Sequence, residues 1–338
     1  MKTPYFILLA SFSCIMAASC SRAQNREVNR KTEKEFRLPD VPATLTAPEE
    51  RAAYLSLHYW DHFDFTDTTL ISQPEITEQA FVDFVSILPY TPEVGPAVDT
   101  LFSRAAAGKD MLRHFIALAD KYLYEPNSPM HDEELYIPVL RALITSPALD
   151  ESEKTRPRFR LEMALKNRPG DTAADFAVTC RNGKRLNLSG LKADYTLLYF
   201  NDPDCEDCRR VREQLSASAV LNGLLESGRL KLISICVEGK TDAWEQATFP
   251  ARWIDGYDAG QYLTRERVYD LKAMPTLYLL DAGKRVILKD APVERIEKWL
   301  SEKKSSSKCQ WLPPITDIME TPLSKVSGRK RKRSTVRR

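Results

Sequence analysis

Two cysteines separated by two residues form the part of this chain best suited to chemistry: Cys205 and Cys208, with Glu206 and Asp207 between them. Thiolates at this spacing either exchange electrons through a disulfide or supply half of a tetrahedral zinc site. A helix that begins at Cys205 would place its sulfur among unpaired backbone N–H groups, which favour a thiolate. Because no second cysteine pair or nearby histidine completes a zinc site, the context predicts a thiol–disulfide centre.

Carboxylates surround this centre. Asp202 and Asp204 precede Cys205, and Glu206 and Asp207 follow it. They oppose the helix dipole because they disfavour a further negative charge on Cys205. We therefore expect a reducing centre, since strongly oxidising centres are those that stabilise their thiolate.

The elements that must position the cysteines have an α/β pattern. An Asn182-Gly183 turn joins two short strand-like segments and predicts a β-hairpin. Further strands are predicted at 195–201, 230–237, 276–280 and 286–289, and helices at 209–226 and 292–300. This order predicts a mixed sheet with helices on both faces.

The preceding half has a helical pattern. Apolar residues recur at helical spacing across 46–166, which predicts a small all-helical domain of five or six helices. Thr46 to Glu49 and Ser72 to Glu75 have capping-box spacing with a proline in the first turn, so we expect helices to begin there.

A second possible site lies in this helical half. His58 and His62 are four residues apart, so on one helix both could bind a metal, with Asp61 or Asp64 as a third ligand. The alternative is a helix end packed by aromatic residues. All four histidines precede residue 167, so a cysteine–histidine pair would have to cross between the domains.

The N-terminus predicts export. Lys2 precedes an apolar stretch, and Ala17-Ala18-Ser19-Cys20 resembles a bacterial lipobox, which would make Cys20 the lipid-modified first residue of the mature protein. Residues 1–20 are then a signal peptide and 21–45 a tether. Ser21 resembles the outer-membrane sorting class, which predicts an outer-membrane anchor facing the periplasm. An ordinary signal peptide cleaved nearby is the alternative.

Charge is unevenly distributed. The chain has a net charge of +2, but residues 302–338 contain eleven Lys or Arg against three acids and carry +8, so residues 1–301 carry −6. An acidic body does not indicate a nucleic-acid partner. We expect the tail, 302–338, to be a solvated, disordered segment.

Two further cysteines, Cys180 and Cys236, lie in strand-like stretches. The sequence is compatible with two small buried apolar side chains or with a structural disulfide between them.

The motifs together resemble a known family. Gly170 to Phe176, the Gly183-Lys184 turn, the CxxC and Met274-Pro275-Thr276 are similar to thioredoxin-fold proteins of the TlpA/ResA-like group, over about residues 167–301. Segments 58–61 and 121–129 resemble the helical domain of unknown function that precedes such modules in Bacteroidetes-type lipoproteins.

This resemblance implies roles for individual residues. Cys205 would be the attacking thiol, Cys208 the resolving thiol and Pro275 a cis-proline, with Met274 and Thr276 placed to bind an extended substrate. The expected partners are protein disulfides and a membrane electron donor, with no cofactor and no metal. The expected activity is that of a membrane-anchored thiol–disulfide reductase or interchange protein.

The sequence also departs from the family. Tyr199 stands where thioredoxins have a buried aspartate that deprotonates the resolving thiol, which leaves Glu238 as a candidate acceptor. A peroxiredoxin-like peroxidase is an alternative, although Asp202 occupies the position where that site needs threonine. A non-catalytic binding or scaffold protein is the other alternative.

Overall fold

The computed structural model describes residues 34–309, with side chains to residue 303. The predictions for the signal peptide, for Cys20 and for the basic segment after residue 309 lie outside the described residues. Within them, the predicted fold class is confirmed: an all-helical domain precedes a mixed β-sheet with helices. None of the described helices is long and apolar enough to cross a membrane.

Six α-helices of the described residues form the body of the first domain. They are α1 Pro48–His58, α2 Thr77–Ile87, α3 Val94–Ala105, α4 Lys109–Ala119, α5 Glu133–Thr145 and α6 Thr155–Ala164. Their apolar faces enclose one core in which Trp60 and Phe115 pack edge to face. The predicted start of α2 near Pro74 is wrong, because a 3-10 helix ends at Ser72 and α2 begins at Thr77. At α1 the capping box is also absent, since Ala47 precedes the helix.

The His58 region is a helix end packed by aromatic residues, which was the alternative to a metal site. Helix α1 ends at His58, and Tyr59 and Trp60 are buried directly after it. Asp61 accepts from His58 at 2.8 Å and from Arg104 at 2.6 Å, so that carboxylate is already paired. Among the described residues, His58 and His62 belong to no cluster of three ligand-type side chains.

Seven strands form the sheet of the second domain. They are β1 Ala177–Cys180, β2 Arg185–Asn187, β3 Tyr195–Asn201, β4 Leu230–Cys236, β5 Ile254–Tyr257, β6 Thr276–Asp281 and β7 Val286–Lys289, in the spatial order β2-β1-β5-β4-β3-β6-β7. Strands β3, β4 and β5 are parallel, and the other pairings are antiparallel. The sequence prediction omitted β5, which joins the hairpin to the central strands.

Helices cover the sheet as its alternating side chains require. Leu197 and Tyr199 face a core shared with α7 Glu206–Ala217, α8 Ala219–Glu226 and α11 Val293–Cys309. Leu198 and Phe200 face the opposite core, which includes Leu263. Two short helices, α9 Asp242–Gln246 and α10 Tyr262–Arg265, complete the domain.

Two of these helices differ from the sequence prediction. The predicted single helix over 209–226 is two helices, because Ser218 has extended backbone and its side chain caps α8 by accepting from the Leu221 N–H. Helix α11 continues to Cys309, beyond the predicted end at residue 300.

A buried charge cluster joins the two domains. Glu133, at the start of α5, is paired with Lys272 and lies 2.8 Å from the Lys289 ammonium. Lys272 also lies 3.3 Å from Asp290, which contacts His131 at 3.4 Å. Burial opposes ionisation of Glu133, but the two lysines outweigh it and lower the pKa of this carboxyl.

Candidate active site

The sheet register brings the two sequence motifs together. Strand β3 ends at Asn201, just before the CxxC, and its residue Phe200 pairs with Thr276 at the start of antiparallel β6. Pro275, which directly precedes Thr276, therefore lies at the same edge of the sheet as the cysteines. The Met274–Pro275 peptide bond is cis, as the resemblance implied.

Cys205 occupies the N-cap position of α7, as predicted. Its backbone is extended, and its sulfur accepts a hydrogen bond from the Cys208 N–H at 3.3 Å. The partly buried Cys205 thiol also donates to the Met274 carbonyl at 3.7 Å. The first cysteine thus lies between the helix N-terminus and the cis-proline loop, where an incoming disulfide could reach it.

Cys208 lies behind Cys205 and is only 2% exposed. Its sulfur accepts from the Asp202 N–H at 3.5 Å. Burial raises the pKa of Cys208, and the charges of Cys205 and Asp202 raise it further. Cys208 is therefore a protonated thiol at neutral pH until a base removes its proton.

Tyr199, at the position of the family's buried aspartate, has a different role in this protein. Tyr199 is buried, and its hydroxyl donates to the Cys208 carbonyl at 2.6 Å. Glu238, the predicted proton acceptor, lies beside Cys236 instead, where its N–H donates to that thiol. Asp202 is the carboxylate whose charge acts on Cys208.

Arginines accompany the carboxylates of the CxxC. Glu206 pairs with Arg209 at 3.5 Å, and Asp207 pairs with Arg210. All four side chains are exposed on the first turns of α7. Because each acid is followed three residues later by an arginine, the sequence already contained this signal. The net field at the site is therefore less negative than the carboxylates alone indicate.

Two buried polar residues hold the site in place. Thr276 is 1% exposed, and its hydroxyl donates to the Ala273 carbonyl at 2.7 Å, so its side chain holds the cis-proline loop. Asn201, which the sequence prediction missed, donates its amide to Ser234 at 2.9 Å and to the Ile235 carbonyl at 3.2 Å. A lone asparagine ending an apolar strand was the only signal for it.

Cys180 and Cys236 lie on strands that β5 separates. Cys180 on β1 pairs with Gly256 of β5, and Cys236 lies on β4 beyond that strand. Both are free thiols, so the alternative of a disulfide between them is wrong. Burial raises the pKa of Cys236 to about 11, which makes it a buried apolar side chain.

Most of this chain is similar to a protein of known structure. A thioredoxin-like protein from Bacteroides caccae is 44% identical, with a TM-score of 0.75, and the match covers 80% of this chain and 99% of that one. This chain belongs to the thioredoxin-like family. A family described as a domain of unknown function, DUF5106, matches residues 16–167 of this thioredoxin-like protein.

Two other solved structures match about two fifths of this chain. The C-terminal domain of an uncharacterized protein from Bacteroides fragilis is 40% identical, with a TM-score of 0.40, over 40% of this chain and 99% of that one. A thiol-disulfide oxidoreductase from Bacteroides fragilis is 19% identical, with a TM-score of 0.35, over 39% of this chain and 99% of that one. No curated protein matches this thioredoxin-like chain.

Proposed function

We propose that this thioredoxin-like protein is a thiol–disulfide oxidoreductase that reduces or rearranges protein disulfides through Cys205 and Cys208. The observation that supports this most directly is the asymmetry of the two thiols. Cys205 is partly exposed at a helix N-terminus beside Met274, whereas Cys208 is buried behind it. This is the arrangement that an attacking thiol and a resolving thiol need.

The reaction has two exchange steps. The Cys205 thiolate attacks one sulfur of a substrate disulfide, which forms a mixed disulfide and releases the other substrate sulfur as a thiolate. Cys208 then loses its proton and attacks the Cys205 sulfur, which forms the Cys205–Cys208 disulfide and releases the second substrate sulfur. Two electrons pass from the dithiol to the substrate, and the released thiolates take protons from the solvent.

The neighbouring groups support each step. The Cys208 N–H, already directed at the Cys205 sulfur, stabilises its thiolate before attack and when it leaves. Asp202 is our candidate for directing the Cys208 proton to solvent, because its charge acts on that thiol. We propose that the Cys205–Cys208 pair acts as a reductant of substrate disulfides. A measured reduction potential like that of the strongly oxidising periplasmic proteins would contradict this direction.

Insulin reduction with dithiothreitol as electron donor tests the activity. The wild-type chain should accelerate insulin precipitation, and Cys205→Ser should abolish the acceleration. Cys208→Ser should instead accumulate a mixed disulfide that a reducing gel resolves. If the wild-type protein is silent with insulin but consumes peroxide, the peroxidase alternative holds. If it is silent in both assays, the binding alternative holds.

We further propose that the protein works in the cell envelope, anchored by lipid on Cys20 with its body in the periplasm. The lipobox-like sequence ending at Cys20 supports this location. Its partners would then be envelope protein disulfides and a membrane electron donor. Fractionation should find the wild-type chain with membranes and Cys20→Ala in the soluble envelope fraction. An unchanged distribution of Cys20→Ala would contradict lipid anchoring.

A further inference from the structure

A groove between the two domains begins beside the redox pair. It has a volume of about 460 Å³. One side consists of α7 and the cis-proline loop, including Met274 and Pro275, and the start of α11 borders it. The opposite side belongs to the helical domain: a turn at residues 126–129, which we term the domain wall, followed by His131. Met274 is shared by the groove and by the contact with the Cys205 thiol.

The domain wall is fixed in place. Ser128 donates its hydroxyl to the Tyr122 carbonyl at 2.7 Å and accepts from the Met130 N–H at 3.2 Å. His131 follows directly, and its side chain lies 3.4 Å from Asp290 of the second domain. Since this region is tied both to its own domain and to the other, we expect it to exclude ill-fitting substrates rather than to move aside.

The groove combines one backbone donor with several prolines. Within the described part of the chain, the Met274 N–H donates to no carbonyl, so it can pair with an incoming strand. Four prolines border the groove: Pro126, Pro129, Pro275 and Pro292. Proline has no backbone N–H that could donate to a substrate. A substrate strand can therefore hydrogen-bond at Met274 while its side chains pack against apolar surface.

Charge gives little selectivity in this groove. Asp207 and Arg210 on α7 form an ion pair, and Glu294 and Arg295 on α11 have opposite charges. Asp290 also lines the groove, and its charge is offset by Lys272 at 3.3 Å. Because the opposing charges balance, neither an acidic nor a basic substrate is favoured by the field. Selection must come from shape and from apolar contact.

We propose, resting on the proposed function, that the domain wall gives this reductase its substrate class: extended polypeptide segments that carry a bulky apolar residue close to the reacting cysteine. The segment pairs with Met274 and lays its apolar side chain against the prolines. A disulfide held in a rigid folded surface cannot enter, because the wall stands opposite the cis-proline loop. The helical domain thus takes part in substrate choice.

The test uses the full chain and two kinds of disulfide. One is a linear peptide whose single cysteine is joined to thionitrobenzoate, prepared with either phenylalanine or glycine flanking the cysteine. The other is glutathione disulfide, which is small enough to bypass the wall. Asn127→Trp fills the groove from an exposed position of the wall, and Ser103→Trp, at an exposed position of α3 outside the groove, is the matched control.

The wild-type chain should prefer the phenylalanine peptide by about 10-fold in kcat/KM, the size of effect that apolar pocket contacts give. Asn127→Trp should lose about 10-fold on that peptide and less than about twofold on glutathione disulfide, and Ser103→Trp should match the wild type on both. Thermal unfolding checks that each variant is folded. If Asn127→Trp does not fold, Asn127→Arg fills the same space with a large, charged side chain.

The outcomes separate the two proposals. A wild-type chain that reduces both disulfides without preferring the phenylalanine peptide would overturn the substrate class alone. The substrate class would also be overturned if a folded Asn127→Trp variant reduced the peptide at the wild-type rate. It would likewise be overturned if that variant lost the same factor in kcat/KM on the peptide and on glutathione disulfide. A wild-type chain that reduces neither disulfide would overturn the proposed function itself.

Discussion

The Tyr199 hydroxyl donates a hydrogen bond to the carbonyl oxygen of Cys208 over 2.6 Å. This bond ties strand β3 to the first turn of α7, so the strand that leads into the CxxC also holds the helix that carries it. Burial raises the pKa of Tyr199, and the Cys208 charge raises it further, so the phenol stays protonated and acts as a donor. Tyr199 is therefore a positioning residue and not a base for the resolving thiol.

Replacing this tyrosine should affect both stability and reactivity. Tyr199→Phe should lower the free energy of unfolding by about 1 kcal/mol, the usual net value of one hydrogen bond. It should also slow disulfide reduction by roughly twofold to fivefold, because α7 is less firmly held. Tyr269→Phe is the matched control, since Tyr269 donates to the Ala174 carbonyl at 2.7 Å within the opposite core. Equal activity losses in the two variants would refute the positioning role.

The two cysteines of the CxxC should differ in their rate of alkylation. In the reduced protein at about pH 8, iodoacetamide should modify Cys205 at least about 10-fold faster than Cys208, because the thiolate is the reactive form and burial both shields Cys208 and raises its pKa. Peptide mapping by mass spectrometry at successive times measures both rates. In denaturant the two rates should converge. Faster modification of Cys208 in the folded protein would reverse the assigned roles.

Glu133 should matter far more for stability than its neighbour Glu134. Glu133→Gln leaves Lys272 and Lys289 buried without their shared carboxylate, which should cost about 3–5 kcal/mol of unfolding free energy. Glu134→Gln breaks only a pair with Arg168 whose side chains are 41% and 36% exposed, and it should cost less than about 1 kcal/mol. Urea unfolding of both variants makes the comparison. Similar losses would show that the cluster does not hold the domains together.

Asp270 should make stability depend on pH. Burial raises its pKa from the ordinary 3.8 to about 6, against the attraction of Lys272. Between these values the folded state binds more protons than the unfolded state, so this group's contribution to stability falls as pH rises from about 4 to about 6 and is constant above. Asp270→Asn should therefore match the wild type near pH 4 and exceed it by up to about 3 kcal/mol above pH 6.

Unfolding curves of the wild type and Asp270→Asn at several pH values measure this difference. Asp99→Asn, a change at an exposed carboxylate, controls for general effects of charge. If the difference between Asp270→Asn and the wild type were the same at about pH 4 and about pH 7, the titration of Asp270 would not be its cause.

Much of the fold could be predicted because its signals are local. The continuous apolar run at β3 predicts a central strand, and the apolar face of α4 predicts a core helix. Strand β5 escaped prediction because it is only four residues long and contains Gly256, which its partners require: a Cβ there would lie 3.0 Å from the Thr179 carbonyl. The break at Ser218 escaped because Ala217 and Ala219 on either side of it favour helix.

Part of the candidate site could likewise be predicted from local motifs, and part of it could not. The CxxC at a helix start and the cis-proline follow from motifs, and the spacing of three residues between each acid of the CxxC and an arginine predicts the two ion pairs on α7. The domain wall could not be predicted. It shares a groove with the cis-proline loop only because α5 and the turn before it pack against the second domain, and residues so far apart in sequence carry no spacing signal for such a contact.

Lys289 has a consequence for how the two halves can evolve. Its ammonium donates to the carbonyls of Ala164 and Lys166 at 2.9 and 2.8 Å, so a sheet residue of one half terminates the last helix of the other. Recombination that exchanged either half for a distant homologue would leave that helix end without its donor and Glu133 without its cation. We therefore expect a change at Lys289 to be accompanied across lineages by a compensating change at Glu133, which a comparison of homologous sequences can check.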